Sequence, residues 1–207
     1  MTRPVVALLA GGLARRMGGG DKCFVPIGGR PILAHLIARL AHQGSALIIN
    51  ANGDPGRFLP YGMPVAADGI AGHPGPLAGV LAGMRWVQTH RPDVADLVTI
   101  PADGPFAPLD LVDRLLAART EAGAELACAA SDGRSHPPIG LWPVRLADAL
   151  ERAMVEESMR KVDLFTARYR LAVAEFSAQP IDPFFNANHP DDVAEAERML
   201  GLLGDAG

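Results

Sequence analysis

The stretch "PVVALLAGGLARRMGGGDK", residues 4–22, decides how the rest of the chain is interpreted. Its first seven residues are continuously apolar and end at a glycine pair, which is typical of a buried parallel strand. Residues 8–22 then contain five glycines and three cationic side chains. Glycine allows backbone N–H groups to approach an anion closely, because it has no Cβ. The stretch by itself leaves three interpretations open: a phosphate-binding loop, a glycine turn with solvated arginines, and a basic tail that binds nucleic acid.

The two common phosphate motifs do not describe this stretch. A Walker-type loop requires Gly-Lys followed by Ser or Thr, whereas here Asp21 precedes Lys22 and Cys23 follows it. The dinucleotide fingerprint requires a third glycine, but counting from Gly18 that position is Cys23. A phosphate loop here would therefore be of another kind.

Strands and helices alternate along the rest of the chain. Apolar runs bounded by turn residues predict strands at 4–10, 45–52, 63–68, 95–103, 124–130, 138–144 and 171–177. Helical periodicity predicts helices at 31–44, 76–90, 108–123, 145–154, 161–169 and 190–203. This alternation indicates an α/β fold with a single doubly wound, mostly parallel sheet and helices on both faces. Because no Ser/Gly-rich linker divides the chain, we expect one domain over residues 1–207.

Composition and charge narrow the class of function. The chain has 207 residues, 49% hydrophobic and 20% charged, and no apolar run approaches the ~18–20 residues that span a bilayer. The two cysteines have neither metal-ligand spacing nor a disulfide framework, so we expect a cytoplasmic protein. We also expect a monomer that does not associate with a membrane. Residues 1–50 carry a net charge of +5 and the remaining residues −9. A general nucleic-acid binder is expected to have a broad basic face, so this pattern favours a small polyanion bound at one place, although solvated arginines would give the same count.

The segment "LVTIPADGPF", residues 97–106, ends a strongly apolar strand at Asp103. A carboxylate at such a strand tip faces the crevice where α/β sheets bind ligands, and it can hold Mg²⁺ together with substrate phosphates. The alternative is a turn aspartate, since Asp is common before Gly-Pro. The glycine-rich stretch leaves the same edge of the predicted sheet, which favours metal-assisted phosphoryl chemistry.

A series of motifs in this order resembles a known family. They are "LAGG.ARRMGG.DK", "INAN", "AAD", "HPGPLAG", "PAD.PF", "HPPIGLW" and "FNANHPDD". Together they resemble the molybdenum cofactor guanylyltransferases (the MobA family), which belong to the Rossmann-like NTP nucleotidyltransferases. The motifs run from the N-terminus to the last predicted helix, so the resemblance covers nearly the whole chain.

The resemblance implies a reaction and its partners. An oxygen of the terminal phosphate of molybdopterin-type cofactor would attack the α-phosphate of GTP, releasing pyrophosphate and forming the guanine dinucleotide cofactor. Mg²⁺ would be the cofactor, and contacts with cofactor-synthesis or molybdoenzyme-maturation proteins would be transient. No nucleic acid is implied as a partner. The alternatives are a CTP-dependent enzyme acting on the same acceptor, a sugar-phosphate nucleotidyltransferase, and a non-catalytic carrier that kept the fold.

The resemblance also implies roles for particular residues. Lys22, Asp103 and Arg16 would be catalytic, with Asp103 the metal ligand. The GTP contacts would be Leu9, Ala10, Gly11, Lys22, Asn50, Asp68 and Asp103, with residues 74–79 bordering the base. Asn186 and Asn188 would lie near the acceptor, with Arg160 and Lys161 a further anion contact there. The chain departs from the family at Gly104, where Thr or Ser is common, so a secondary phosphate or metal contact would be missing.

Overall fold

The computed structural model describes residues 2–11, 21–70 and 75–204. Its strands are β1 (Val5–Leu9), β2 (Pro26–Ile27), β3 (Arg30–Pro31), β4 (Ala46–Asn50), β5 (Val65–Ala66), β6 (Asp96–Pro101), β7 (Leu126–Ser131), β8 (Arg134–Pro143) and β9 (Leu171–Phe176). Its α-helices are α1 (Ile32–Leu40), α2 (Pro76–His90), α3 (Leu111–Glu121), α4 (Ala147–Val155), α5 (Val162–Thr166) and α6 (Pro190–Gly204). In the described part of the chain, no helix combines the length and the apolarity needed to cross a membrane.

Seven of the described strands form one sheet in the order β5-β4-β1-β6-β8-β7-β9. All neighbouring pairs are parallel except those of β8, which runs antiparallel to both β6 and β7. The predicted doubly wound, mostly parallel sheet is therefore confirmed. The first strand lies near the middle of the sheet, between β4 and β6, so the chain that leaves it enters the point where the strand order reverses.

Each face of the sheet is covered by a separate apolar core. Val6 and Leu8 of β1 belong to a core that includes residues of α1, α3 and α6. Val5 and Ala7, the alternate residues of the same strand, belong to a second core with residues of α2, α4 and α5. Successive strand residues point to opposite faces, so burial on both sides requires the continuous apolar run seen in the sequence.

Two features of the fold depart from the predicted elements. The predicted strand at 138–144 begins earlier, at Arg134, because a turn at Asp132-Gly133 joins it to β7 as a hairpin. Both turn residues have positive φ, 49° and 71°, as a tight two-residue hairpin requires. The second departure is the short hairpin of β2 and β3, which was not predicted. It lies directly before α1, whose predicted range of 31–44 shortens to Ile32–Leu40.

Candidate active site

The carboxyl ends of three adjacent strands build the floor of a cavity of about 290 Å³. The strand register continues one residue beyond β1: the Ala10 amide donates to the Asn50 carbonyl at 2.8 Å, and the Ala102 amide to the Leu9 carbonyl at 3.0 Å. The cavity is lined by Leu9, Ala10, Gly11, Lys22, Cys23, Asn50, Asn52, Asp68, Gly75, Pro76, Pro101, Ala102 and Asp103. It therefore brings together the seven residues expected to contact GTP, along with Gly75 and Pro76 of the segment expected to border the base.

A cation and a carboxylate face each other in this cavity. Lys22 opens a short 3-10 turn, and Asp103 follows β6. The Lys22 Nζ lies 3.9 Å from Asp103 Oδ2, and each side chain is 22% exposed. Burial raises the pKa of Asp103, and the nearby ammonium and a backbone hydrogen bond only partly oppose that shift. A carboxylate whose charge is costly to bury is stabilised by any further cation brought close to it.

The segment before α6 completes the surroundings of this pair. Asn188 Oδ1 accepts a hydrogen bond from Lys22 Nζ at 2.5 Å, and the Ala187 amide donates to the Asp103 carbonyl oxygen at 2.9 Å. With its amide oriented so that the nitrogen faces acceptors, Asn186 donates to Asp103 Oδ1 at 3.2 Å. The two asparagines expected near the acceptor thus contact the lysine and the aspartate expected to act on GTP.

Gly104 allows this segment to approach. A Cβ at Gly104 would lie 2.6 Å from the carbonyl oxygen of Phe185 and 3.1 Å from the side-chain amide of Asn186. Because backbone atoms cannot move aside as a flexible side chain can, Ser or Thr at this position would push the 185–186 segment away from Asp103. Glycine at this position therefore leaves room for the segment that carries Asn186 to pack against it.

The opposite wall of the cavity is an amide–carboxylate network. The buried Asn50 donates through Nδ2 to the Ala66 carbonyl at 3.0 Å and to Asp68 Oδ1 at 2.9 Å. Asn52 donates to Asp68 Oδ2 at 2.7 Å and accepts from the Asp68 amide at 2.9 Å. Gly79 lies against this network, since a Cβ there would be 2.3 Å from Asn50 Oδ1. The position of the Asp68 carboxylate is thus fixed by two side chains.

This arrangement places a cation and a carboxylate at one end of the cavity and fixed amide and carboxylate groups at the other. A family description, the MobA-like NTP transferase domain, matches residues 6–180, well over half of the chain. The chain belongs to this family. The resemblance that the motifs predicted is confirmed.

Named relatives of this MobA-like chain extend over nearly its full length. It is 59% identical over 192 residues to the molybdenum cofactor guanylyltransferase of Rhodopseudomonas palustris (strain BisB5), which covers 93% of this chain and 91% of the relative. The guanylyltransferase of Mesorhizobium japonicum is 45% identical over 204 residues, or 97% and 98% of the two chains. The crystal structure of molybdopterin-guanine dinucleotide biosynthesis protein A from Archaeoglobus fulgidus has a TM-score of 0.73 at 23% identity, over 96% and 99% of the chains. At that identity the likeness shows the shared fold.

Some of the predicted site residues of this MobA-like chain lie elsewhere. Arg16 and Pro74 lie outside the described residues, while Gly75 and Pro76 line the cavity where α2 begins. The Arg160 guanidinium donates to the carbonyl oxygens of Met154 and Met159, so it contacts the end of α4. Lys161 is exposed directly before α5.

Several residues at or near the cavity were not predicted as site residues. Asn52 holds Asp68, Cys23 lines the cavity, and Arg57 contacts both of the regions that surround it. Burial, with the nearby Asp21 charge, raises the pKa of the Cys23 thiol to about 12, so this thiol is protonated at neutral pH and a weak nucleophile. Asn52 could have been found from the sequence, because it is the last residue of the predicted strand 45–52, in "INAN".

Proposed function

We propose that this chain transfers GMP from GTP to the terminal phosphate of molybdenum-molybdopterin cofactor, releasing pyrophosphate and forming the guanine dinucleotide cofactor. The observation that carries the proposal is the meeting of Lys22 and Asp103, 3.9 Å apart, in a cavity completed by Asn50 and Asp68. The 59% identity to a protein named molybdenum cofactor guanylyltransferase supports the choice of GTP and of this acceptor.

The reaction brings two polyanions together, so neutralising charge is the main task of the site. An acceptor phosphate oxygen forms a bond to the α-phosphorus of GTP, and the bond to the bridging oxygen of the β-phosphate breaks, leaving its electron pair on pyrophosphate. The Lys22 ammonium binds the triphosphate and stabilises this developing charge. A phosphate monoester has a second pKa of ~6, so the attacking oxygen is already ionised at neutral pH and needs no strong general base.

The residues present fit a magnesium ion at Asp103. Among the described residues there is no group of three or more His, Cys, Asp and Glu side chains suited to a metal, so an ion here would rely on Asp103 and on substrate oxygens. Mg²⁺ is usually bound in this way, through one or two carboxylates, phosphates and water. When bound, it would supply electrostatic stabilisation of the transferring phosphoryl group.

The other assigned residues orient the two substrates. Leu9, Ala10 and Gly11 would contact the nucleotide through their backbone, and Asn50 with Asp68 would hold the nucleoside. Asn188 would hold the Lys22 ammonium in place, and Asn186 the Asp103 carboxylate, on the side where the acceptor enters. Arg16 would add a second cation to the triphosphate.

Pyrophosphate release in the presence of Mg²⁺ and purified molybdopterin-type cofactor tests this proposal, with GTP, CTP and UTP compared side by side. We expect release that depends on GTP, on the acceptor and on Mg²⁺, and that stops when EDTA removes the metal. Release with CTP alone would assign the cytidylyltransferase reaction instead. Release that needs a sugar phosphate, or none with any nucleotide, would contradict the proposal.

We further propose that the protein acts as a monomer in the cytoplasm and meets cofactor-synthesis or molybdoenzyme-maturation proteins only transiently. Its two buried cysteines, Cys23 and Cys128, are free thiols, which suits a reducing compartment. Sedimentation velocity should give a single species near 21.7 kDa. A concentration-independent dimer would contradict the monomeric assignment.

A further inference from the structure

Arg57 lies in the 3-10 segment Pro55–Tyr61 and makes three hydrogen bonds to different parts of the chain. Its Nε donates to Asp21 Oδ2 at 2.5 Å, and its Nη2 donates to the Asn52 carbonyl oxygen at 2.6 Å. Its Nη1 donates to the carbonyl oxygen of Asp54. Only a guanidinium offers donors in three fixed directions, so a lysine here could not make the same set of contacts.

These partners belong to the two regions that surround the cavity. Asp21 immediately precedes Lys22, the cation on the phosphate side. Asn52 makes two hydrogen bonds to Asp68, which in turn holds Asn50 on the opposite wall. A continuous chain of covalent and hydrogen bonds therefore runs from Lys22 through Arg57 to Asp68.

The ion pair in this chain is well shielded. The Arg57 and Asp21 side chains are 26% and 13% exposed, whereas the surface pair Arg3–Asp113 is 44% and 63% exposed. Charge-assisted hydrogen bonds that are partly removed from water are stronger and better defined than exposed ion pairs. The Arg57 guanidinium also lies 4.6 Å from the centre of the Phe58 ring. Because Phe58 is buried in the core, this contact helps to hold the guanidinium in place.

We propose that Arg57 is a positioning residue that fixes the distance between the phosphate-binding Lys22 and the nucleoside-binding Asn50–Asp68 pair, so that one nucleoside triphosphate reaches both. The inference rests on the proposed function in that this cavity must bind a nucleoside triphosphate. Arg57 itself does not line the cavity and acts through Asp21 and Asn52. Arg57 therefore strengthens the binding of the complete nucleotide, and not the binding of the nucleoside or of the triphosphate alone.

This gives a prediction that a purely structural role would not. Binding one molecule at two subsites is strengthened when the subsites are held at the correct separation, because the second contact then forms at a high effective concentration. Loosening their separation should weaken GTP binding while leaving each fragment unaffected. The fragments are guanosine for the nucleoside side and inorganic tripolyphosphate for the phosphate side.

The experiment measures the dissociation constants of GTP, guanosine and tripolyphosphate, with Mg²⁺, for the wild-type chain and for Arg57→Met, Arg57→Lys and Asp21→Asn. We expect GTP to bind about tenfold more weakly to all three variants and both fragments to bind within about twofold of wild type. The double variant Arg57→Met/Asp21→Asn should be no worse than Arg57→Met alone, because the two residues act as one unit. The matched control is Arg91→Met, since Arg91 also pairs with a carboxylate, Asp93, and a backbone carbonyl, away from the cavity.

The other outcomes distinguish a failure of the positioning role from a failure of the proposed function. Unchanged GTP binding in Arg57→Met, with a lower melting temperature only, would overturn the positioning role and leave the proposed function standing. An equal loss for tripolyphosphate and GTP would also overturn it, because Arg57 would then act on the phosphate side alone. If the wild-type chain binds CTP in place of GTP, cytidine and CTP form the same comparison, and if it binds no nucleotide both proposals fail.

Discussion

Lys22 has two oxygen partners, the Asn188 side-chain carbonyl at 2.5 Å and the Asp103 carboxylate at 3.9 Å. The shorter contact is to a neutral group, so the positive charge of the ammonium is not fully compensated within the described residues. The Asp103 carboxylate is in the complementary situation, because burial raises its pKa and the ammonium only partly offsets this. The ammonium can therefore still attract a phosphate, and the carboxylate can still attract a metal ion.

Removing either charge should abolish most of the transfer activity. We expect Lys22→Met to lower kcat/KM for GTP by about 10²–10³-fold, the usual range for a donor that stabilises developing charge. Asp103→Asn should lose at least as much and should no longer respond to Mg²⁺ concentration. Steady-state pyrophosphate release measures both, with Arg198→Met, which removes an exposed ion pair with Glu195, as the control. Full activity in either site variant would contradict the catalytic assignment.

Two glycines of α2 provide a second test at the scale of single residues. A Cβ at Gly79 would lie 2.3 Å from Asn50 Oδ1, whereas a Cβ at Gly83 would lie 2.8 Å from Cδ2 of Leu97, which is away from the cavity. Overpacking at either position should cost stability, about 1–3 kcal/mol. Only Gly79→Ala should displace Asn50 from Asp68, and losing a hydrogen bond to a charged group corresponds to about tenfold weaker GTP binding.

The measurement compares Gly79→Ala with Gly83→Ala by urea unfolding and by the KM for GTP. We expect similar losses of stability and an increase in KM in Gly79→Ala alone. An equal increase in both would mean that the helix position as a whole, and not the contact with Asn50, controls binding.

At the scale of elements, the hairpin of β7 and β8 carries a polar cluster at the same edge of the sheet as the cavity. The buried Ser131 donates to Asp182 Oδ1 at 2.8 Å and lies 2.8 Å from His136 Nε2. Because the single hydroxyl proton goes to Asp182, the His136 Nε2 must be the donor in its contact with Ser131. The cluster thereby joins the hairpin to the segment 182–188. This segment also contacts Asp103, through the hydrogen bond from the Ala187 amide to the Asp103 carbonyl oxygen.

This cluster predicts a pH dependence of stability. Burial lowers the pKa of His136 below its usual value of 6.5, although the charges of Asp182 and Glu175 oppose the shift and that of Arg134 adds to it. Below pH 6.5 the unfolded chain takes up a proton that the folded chain resists, so this contribution to stability is present above pH 6.5 and is lost as the pH falls. The decrease in the free energy of unfolding between pH 7.5 and 5.5 should therefore be smaller in His136→Gln.

Urea unfolding at the two pH values checks this prediction. His42→Gln is the control, because His42 is exposed on the surface. An unchanged pH dependence in His136→Gln would show that other groups cause the acid sensitivity.

The elements themselves were largely predictable, and the exceptions have physical causes. β1, β4 and β6 were found because strands buried on both faces require continuous apolar runs, and their ends located Asn50 and Asp103. The early start of β8 was missed although Asp132-Gly133 is a typical hairpin turn, because His136 and the prolines after it interrupt the apolar pattern. The 3-10 segment that carries Arg57 contains Gly and Pro and has no periodicity from which its role could be inferred.

At the scale of the whole molecule, segments far apart in the sequence meet at the site. Lys22 and Asn188 are separated by 166 residues, and the β2–β3 hairpin contacts α6 through Gly28, whose amide donates to Glu197 Oε1 at 3.4 Å. No local pattern can predict such a pair, because the contact depends on how the whole sheet brings its ends together. The resemblance assigned GTP to residues in the first half of the chain and the acceptor to Asn186 and Asn188 in the second half, yet these contacts link the two halves.

Asn188 allows this link between the two halves to be tested. Asn188→Ala removes the oxygen that accepts a hydrogen bond from the Lys22 ammonium, so the position of this ammonium is no longer fixed. We therefore expect a change in the KM for GTP as well as in the KM for the acceptor, by about tenfold for a lost hydrogen bond to a charged group. Kinetics with both substrates varied separate the two constants, and Gln179→Ala, an exposed residue of the same C-terminal region, is the control. A change in the acceptor constant alone would mean that the halves bind their substrates independently, whereas a change in both would show that the C-terminal segment takes part in holding the nucleotide.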